Sequence, residues 1–217
     1  FFARTVHGQL RDNLDVNVTS GYLQSRLRLP QNDNNIRGII PGGLLGSAVR
    51  DTSLLGYGFD KPANEMGINT QQNVERYTGS IRSNWQPLSW LTAIGTAGID
   101  FTNRIDNELI PPEGSGVPTS QFADDPEGKR TSNPFQSFVY TANFGQTGTC
   151  LVRPALRTST SLGMQSHDEV VRGTSASGQK LLPGTGSLGG ATALFAVDEL
   201  NAENKTLGAY LQEQVAW

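Results

Sequence analysis

The chain has 217 residues, a formal net charge of −3, 36% hydrophobic and 17% charged residues, and one cysteine. The missing basic cluster argues against nucleic acid as a partner, Cys150 alone cannot build a disulfide framework, and no run of about eighteen apolar residues offers a transmembrane helix. Three Trp, five Tyr and nine Phe argue against disorder, and 25 Gly with many Ser, Thr, Asn and Gln suit a β protein whose surface is polar but sparsely charged. Barrel strands never make a long apolar run, so a membrane protein built from strands stays open. The chain begins at Phe1-Phe2 with neither initiator Met nor signal peptide and stops at Trp217. We read it as a processed or partial polypeptide, in the milder form an exported one trimmed at its start.

Leu14, Val16, Val18 and Tyr22 alternate with Asp15, Asn17 and Thr19. That period of two predicts a strand, preceded by a short turn near residues 9–13. A long loop is expected over about 30–72. At its end, residues 69–76 read either as a short helix capped by Asn69 or Thr70 or as the start of the next strand. Tyr77, Gly79, Ile81, Ser83 and Trp85 then share one face, and Arg76, Thr78, Ser80, Arg82 and Asn84 the other. A turn through Gln86, Pro87, Leu88 and Ser89 leads to Leu91, Ala93, Gly95, Ala97, Ile99 and Phe101 on one face, with Thr92, Thr96 and Asp100 opposite. The pair is a hairpin.

A second long loop is expected over about 105–133. The next strand carries Phe138, Tyr140, Ala142, Phe144, Gly148, Cys150 and Val152 on one face, interrupted by Gln146, and Thr141, Asn143, Thr147 and Thr149 on the other. A Pro turn at Arg153, Pro154 and Ala155 follows. Leu156, Thr158, Thr160, Leu162 and Met164 then alternate with Arg157, Ser159, Ser161 and Gln165. A third long loop is expected over about 168–204. The last strand shows Leu207, Ala209, Leu211, Val215 and Trp217 on one face, with Glu213 as the exception.

Short and long connections alternate, so a meander puts every short turn at one end and every long loop at the other. The expected fold is all-β: an antiparallel up-and-down meander of about seven long strands, one β domain over residues 1–217, resembling part of an outer-membrane barrel. Three such loops are rare in a compact soluble domain and usual in an outer-membrane barrel. There Trp85 and Trp90 would stand at headgroup level beside the short turn. The competing fold is a soluble β-sandwich, whose strands alternate in the same way. The expected lipid- or partner-facing apolar face is Tyr77, Ile81, Trp85, Leu91, Ile99, Phe101, Phe138, Tyr140, Phe144 and Leu162. The expected polar, lumen-like face is Arg76, Arg82, Asn84, Asp100, Asn143 and Arg157.

The stretches NLDVNVTSGYLQSRLRLPQNDNN (13–35), NVERYTGSIRSNWQPLSWLTAIGTAGIDF (73–101) and TLGAYLQEQVAW (206–217) resemble consecutive barrel strands of SusC/RagA-type TonB-linked outer-membrane transporters. Their order carries the resemblance: a strand, a Pro turn, W-L, G-I-D, a long polar loop, the Gly-rich strand around Leu162-Gly163-Met164-Gln165, then L-G-x-Y-x-Q-E-Q. The resemblance implies a section of a twenty-two-stranded barrel that imports oligosaccharides or peptides across a bacterial outer membrane, powered through a TonB box and covered by a surface lipoprotein lid. The family's plug domain and TonB box are not found in these residues. About seven strands cannot close so large a barrel, so two sheet edges need covering by the rest of a barrel or by a partner. Two readings follow: a section of a nutrient importer, or a stand-alone β accessory subunit, packed on a larger bacterial membrane complex at its periplasmic face and stabilising it. Neither is an enzyme, and neither calls for a cofactor, a metal or nucleic acid.

Other motifs point to chemistry only weakly. Gly184, Gly186 and Gly189 fit G-x-G-x-x-G, but Pro183 precedes them and no βαβ unit surrounds them, so a surface loop is expected. His167-Asp168-Glu169 reads as a solvated strand end rather than a metal site. Asp124-Asp125-Pro126-Glu127 lacks calcium-loop spacing and reads as a solvated turn. Asp106 and Glu108 read as a loop start rather than glycosidase carboxylates. Cys150 falls on an apolar face and is expected to be inert. Arg76, Arg82 and Arg157 either pair across neighbouring strands or face plug carboxylates and solute in a lumen.

Overall fold

The computed structural model describes residues 2–31, 34–122 and 125–217. Seven strands form one antiparallel sheet in sequential order: β1 (Phe2–Arg11), β2 (Leu14–Leu29), β3 (Asn69–Leu88), β4 (Leu91–Ile110), β5 (Lys129–Arg153), β6 (Leu156–Leu181) and β7 (Ala191–Ala216). The sheet is curled into a half-barrel. Among the described residues no second sheet lies across either face. The expected meander is therefore the fold.

Two-residue turns at Asp12-Asn13, Ser89-Trp90 and Pro154-Ala155 close one end. The middle turn lies later than expected. Pro87 sits inside β3, where the register with β4 shifts between Trp85 and Leu88. A bulge is where a strand tolerates a residue without an N–H.

The other end carries the long connections, and here the expected boundaries need correction. Strand β4 runs to Ile110 and β5 starts at Lys129, so the expected 105–133 loop is 111–128. Strand β6 continues to Leu181 and β7 begins at Ala191, so the expected 168–204 loop shrinks to 182–190. The physical reason is that polar residues dominate there and interrupt any continuous apolar face. Asn103, Asp106 and Asn107, or Arg172, Thr174 and Ser175, give no alternation to read. The backbone ladder continues regardless, helped by cross-strand bonds such as Gln72 Nε2 to Asp106 Oδ1 (2.9 Å), Ser175 Oγ to Asn133 Oδ1 (2.7 Å) and the Thr131–Ser177 hydroxyl pair (2.7 Å).

The first connection ends where β3 begins, at Asn69, so residues 69–76 are strand and the helix with an Asn69 or Thr70 cap does not form. The helices lie earlier: α1 (Ile39–Leu45) and α2 (Pro62–Gly67). Pro62 opens α2 at its first turn, where a missing N–H costs nothing. Ile68, Ile110 and Leu181 are buried where strands meet these connections, and Ala93 is the only other buried hydrophobic among the described residues. Three of these four buried hydrophobics thus sit at the long-loop end, and the large apolar side chains along the rest of the sheet are exposed or half-buried.

Candidate functional site

Register decides which side chains share a face, because directly opposed residues in an antiparallel pair point the same way. Tyr22, Tyr77, Phe101 and Phe138 are successive partners from β2 to β5. They form one aromatic row, in which the Phe101 and Phe138 rings lie 4.7 Å apart. Eight residues toward the short-turn end, Leu14, Trp85 and Ala93 form a second row that continues through Gln146 to Leu162 and Leu211. Between the rows lie Ile81, Ile99, Tyr140 and Phe144. All ten residues expected on the apolar face, Leu91 included, lie on this one face. Tyr77, Ile81, Trp85, Ile99, Tyr140, Phe144 and Leu162 are exposed on it, and Leu91, Phe101 and Phe138 are half-buried. Trp85, Trp90 and Trp217 stand exposed at its short-turn margin.

The two rows are about 26 Å apart along a strand at 3.3 Å per residue. With the tilt of a barrel strand that becomes a band roughly 20 Å tall, close to the apolar band of an outer-membrane barrel, which is also flanked by aromatic girdles. Beyond the aromatic row the same face turns polar, with Gln24, Glu75, Asn103 and Gln136.

The band does not follow the register. On β2 it spans Leu14 to Tyr22. On β7 it spans Val215 to Leu207, interrupted by Glu213, and Lys205 and Glu203 lie beyond it. Glu203 sits on the Tyr22 row and Leu211 on the Leu14 row. The band therefore slips by about four residues over five strand steps, or ~13 Å against ~24 Å, a slope near 30°. A horizontal slab crossing tilted strands produces that slip. A sandwich core, which faces a second sheet, has no reason to produce it.

The opposite face carries all six residues expected there. Arg76 clasps Asp100 on the next strand, with Nε 2.9 Å from Oδ1 and a second, shorter contact through the other guanidinium nitrogen. The cross-strand alternative thus accounts for Arg76. Arg82, Thr96, Asn143 and Gln165 occupy one register row. Asn84 lies at the short-turn end and Arg157 at the foot of β6. A shallow cavity of about 280 Å³ opens among Thr96, Asn143, Gln165 and Tyr210. Tyr210 of β7 lies flat over Gly163 and Gly145, and a Cβ at Gly163 would stand 2.2 Å from its ring. Those glycines are small because a ring covers them.

The connections at the far end are tied by buried charge. Arg37 donates to both oxygens of Asp125, at 2.6 and 3.0 Å, and Ser120 donates to Asp125 Oδ2 at 2.7 Å. Asp125 is buried, so the expected solvated turn at 124–127 is corrected for Asp125; Asp124 lies outside the described residues. Asp60 accepts from the backbone N–H groups of Lys61 (2.7 Å) and Gln121 (2.9 Å), joining the first connection to the second.

The remaining chemical motifs fall as follows. His167, Asp168 and Glu169 lie in the middle of β6, opposite Thr141, Tyr140 and Val139, and not at a strand end. Asp106 is held by Arg104 and Gln72, and Glu108 accepts from Gln31 at 2.7 Å; both carboxylates lie within β4 rather than at a loop start. No group of three or more metal-ligating side chains occurs among the described residues. The glycine motif at 184–189 sits in a loop between antiparallel strands. Cys150 is exposed on the strand face where it was expected. The Tyr22–Phe138 aromatic row was not foreseen as a unit, because only register brings its members together; aromatic residues spaced about eight from a Trp were the available signal.

Sequential order, unbroken antiparallel pairing and turns that alternate in length define the class: a section of an up-and-down antiparallel β-barrel. No family model and no curated protein sequence matches the chain. Solved structures do. The chain is similar to a chain in the structure of the RagAB peptide transporter, with a TM-score of 0.77 and 11% identity over 97% of this chain. It is also similar to chains of the RagAB peptide importer in the closed-closed state (TM-score 0.73) and the open-open state (0.69), each at 12% identity over 97% of this chain. In each case it spans 25% of the matched chain's length. The chain thus has the fold of a wall section of a SusC/RagA-type transporter barrel.

Proposed function

We propose that these residues form part of the wall and outer loops of a bacterial outer-membrane importer that takes up peptides or oligosaccharides with energy delivered through TonB. The slanted band carries this reading. It gives one face the height, the aromatic margins and the tilt that a bilayer requires, and it leaves that face without any protein cover from this chain. The opposite face then lines the lumen, where Arg82, Asn143, Gln165 and Tyr210 meet a plug or a solute. The loop end faces the cell exterior and, in the assembled importer, a surface lipoprotein. The wall acts by position and takes no part in a reaction.

Single cysteines at Ile81→Cys and Arg82→Cys, in the full transporter with Cys150→Ser, test this directly. A fluorophore at 81 should be quenched by lipids brominated along their chains, and one at 82 should not. Equal quenching, or quenching only at 82, would overturn the face assignment. Protection of 81 by a protein subunit instead of lipid would favour the accessory-subunit reading.

A further inference from the structure

The first connection contains a carboxyl group that its surroundings cannot accept as a charge. Glu65 of α2 is 3% exposed, and neither side-chain oxygen has a hydrogen-bond partner among the described residues. The carboxyl lies against Gly42 of α1. A Cβ at that position would stand 3.1 and 3.4 Å from the two oxygens and 3.1 Å from Cδ1 of Tyr57.

The groups that face it from each packed element make the case stronger. Helix α1 (IIPGGLL) has no titratable side chain. The segment after it offers the Tyr57 ring, while Arg50 and Asp51 pair with each other. On the α2 side stand Asp60, 3% exposed, and Lys61, whose side chain is exposed. From the second connection, Asp125 is already closed by Arg37 and Ser120. So the charge that bears on Glu65 is another carboxylate, Asp60. Asp60 also binds Asn64 Nδ2 (2.8 Å) and Gln121 N (2.9 Å), so it cannot turn away without loosening the two connections. The end of α2 is equally tight: a Cβ at Gly67 would stand 2.0 Å from the carbonyl oxygen of Pro118.

We propose that α1, α2 and the second connection stay packed only while Glu65 holds a proton, and that losing it releases this assembly into an open form. A buried carboxylate with neither cation nor donor carries a large desolvation cost, which protonation removes. Burial first, and the charge of Asp60 second, push the Glu65 carboxyl up to about 7. Because the packed form raises this group above its ordinary value of 4.5, the proton's contribution is complete below that value and is lost as pH rises through about 7. The inference rests on the loop contacts and on Glu65 itself, and stands apart from the transport reading.

Amide hydrogen exchange of the intact protein, read by mass spectrometry over 39–67 and 118–125 and corrected for intrinsic rates, tests it. Protection in these peptides should fall at least tenfold between pH 5.5 and 8.5, with the fall levelling off above about pH 7, while the β3–β6 peptides do not change. Glu65→Gln should stay protected at both pH values. Gly42→Ala, which crowds the carboxyl, should be open at both, so a variant that fails to fold leaves the comparison with wild type intact. Equal wild-type protection at both pH values would overturn the proposal. So would restored protection at pH 8.5 on adding micromolar calcium and its loss with chelator, which would make Glu65 a cation ligand.

Discussion

Ile81→Arg is the sharpest test of the band. Ile81 lies midway between Trp85 and Tyr77, with Val18 and Ala97 beside it and nearly half of its surface open. Placing a guanidinium at the middle of a lipid-facing band costs about 2–4 kcal/mol in a barrel. Two controls fix the interpretation. Ser80→Arg lies at the same depth on the opposite face, between Thr19 and Gly98, and should change stability by no more than about 0.5 kcal/mol. Tyr77→Arg sits at the aromatic margin, where the depth-dependent cost drops to about 0–1 kcal/mol beyond the lost ring packing. Reversible urea unfolding of the full-length barrel in lipid vesicles gives all three. A cost below 1 kcal/mol for Ile81→Arg, or a cost for Ser80→Arg as large, would show that this face does not meet lipid.

Gly163→Ala drives a Cβ into the Tyr210 ring and should destabilise by about 1–3 kcal/mol; adding Tyr210→Ala should recover most of that, measured as a double-mutant cycle by denaturant unfolding. Asp125→Ala strands the Arg37 guanidinium and should cost the loop assembly about 3 kcal/mol, read as faster proteolytic cutting within 30–68 at unchanged resistance of the strands. Arg76→Ala removes a partly exposed ion pair and should change overall stability by less than about 1 kcal/mol, so any larger effect on solute uptake would report a lumen role rather than a structural one.

Alternation made the strands legible wherever one face was apolar and the other polar. Tyr77 to Trp85 and Leu91 to Phe101 showed their alternation directly, and the register puts the ten apolar residues on one side of the sheet and the six polar ones on the other. Above the aromatic row that contrast ends. Thr131, Asn133, Ser175 and Ser177 look like loop residues, yet they pair across β5 and β6 through their hydroxyls and amides. Composition could not separate a polar strand from a polar loop. The slip of the band was illegible for a different reason: it is a relation among six strands, and no single strand contains it. The Glu65 site was hidden likewise, because its neighbours Gly42 and Tyr57 are brought to it by the fold and share no motif with it.

The exposed area gives the last step. A compact monomer of 23.4 kDa is expected to expose roughly 9,700 Å², whereas this chain exposes 13969 Å². The excess, about 4,000 Å² on that scaling, is of the order of two protein–protein interfaces of obligate size. It is not spread evenly. One share is the apolar band, which reaches Leu207 and Leu211 on β7, and another the unpaired outer edges of β1 and β7. Packing on one partner face would cover the band and leave the edges unpaired. Extending the sheet edge to edge would pair the edges and leave the band bare in water. A closed barrel in a bilayer covers both at once, with strands on the edges and lipid on the band, and it is the only one of the three arrangements that also requires the band to slant.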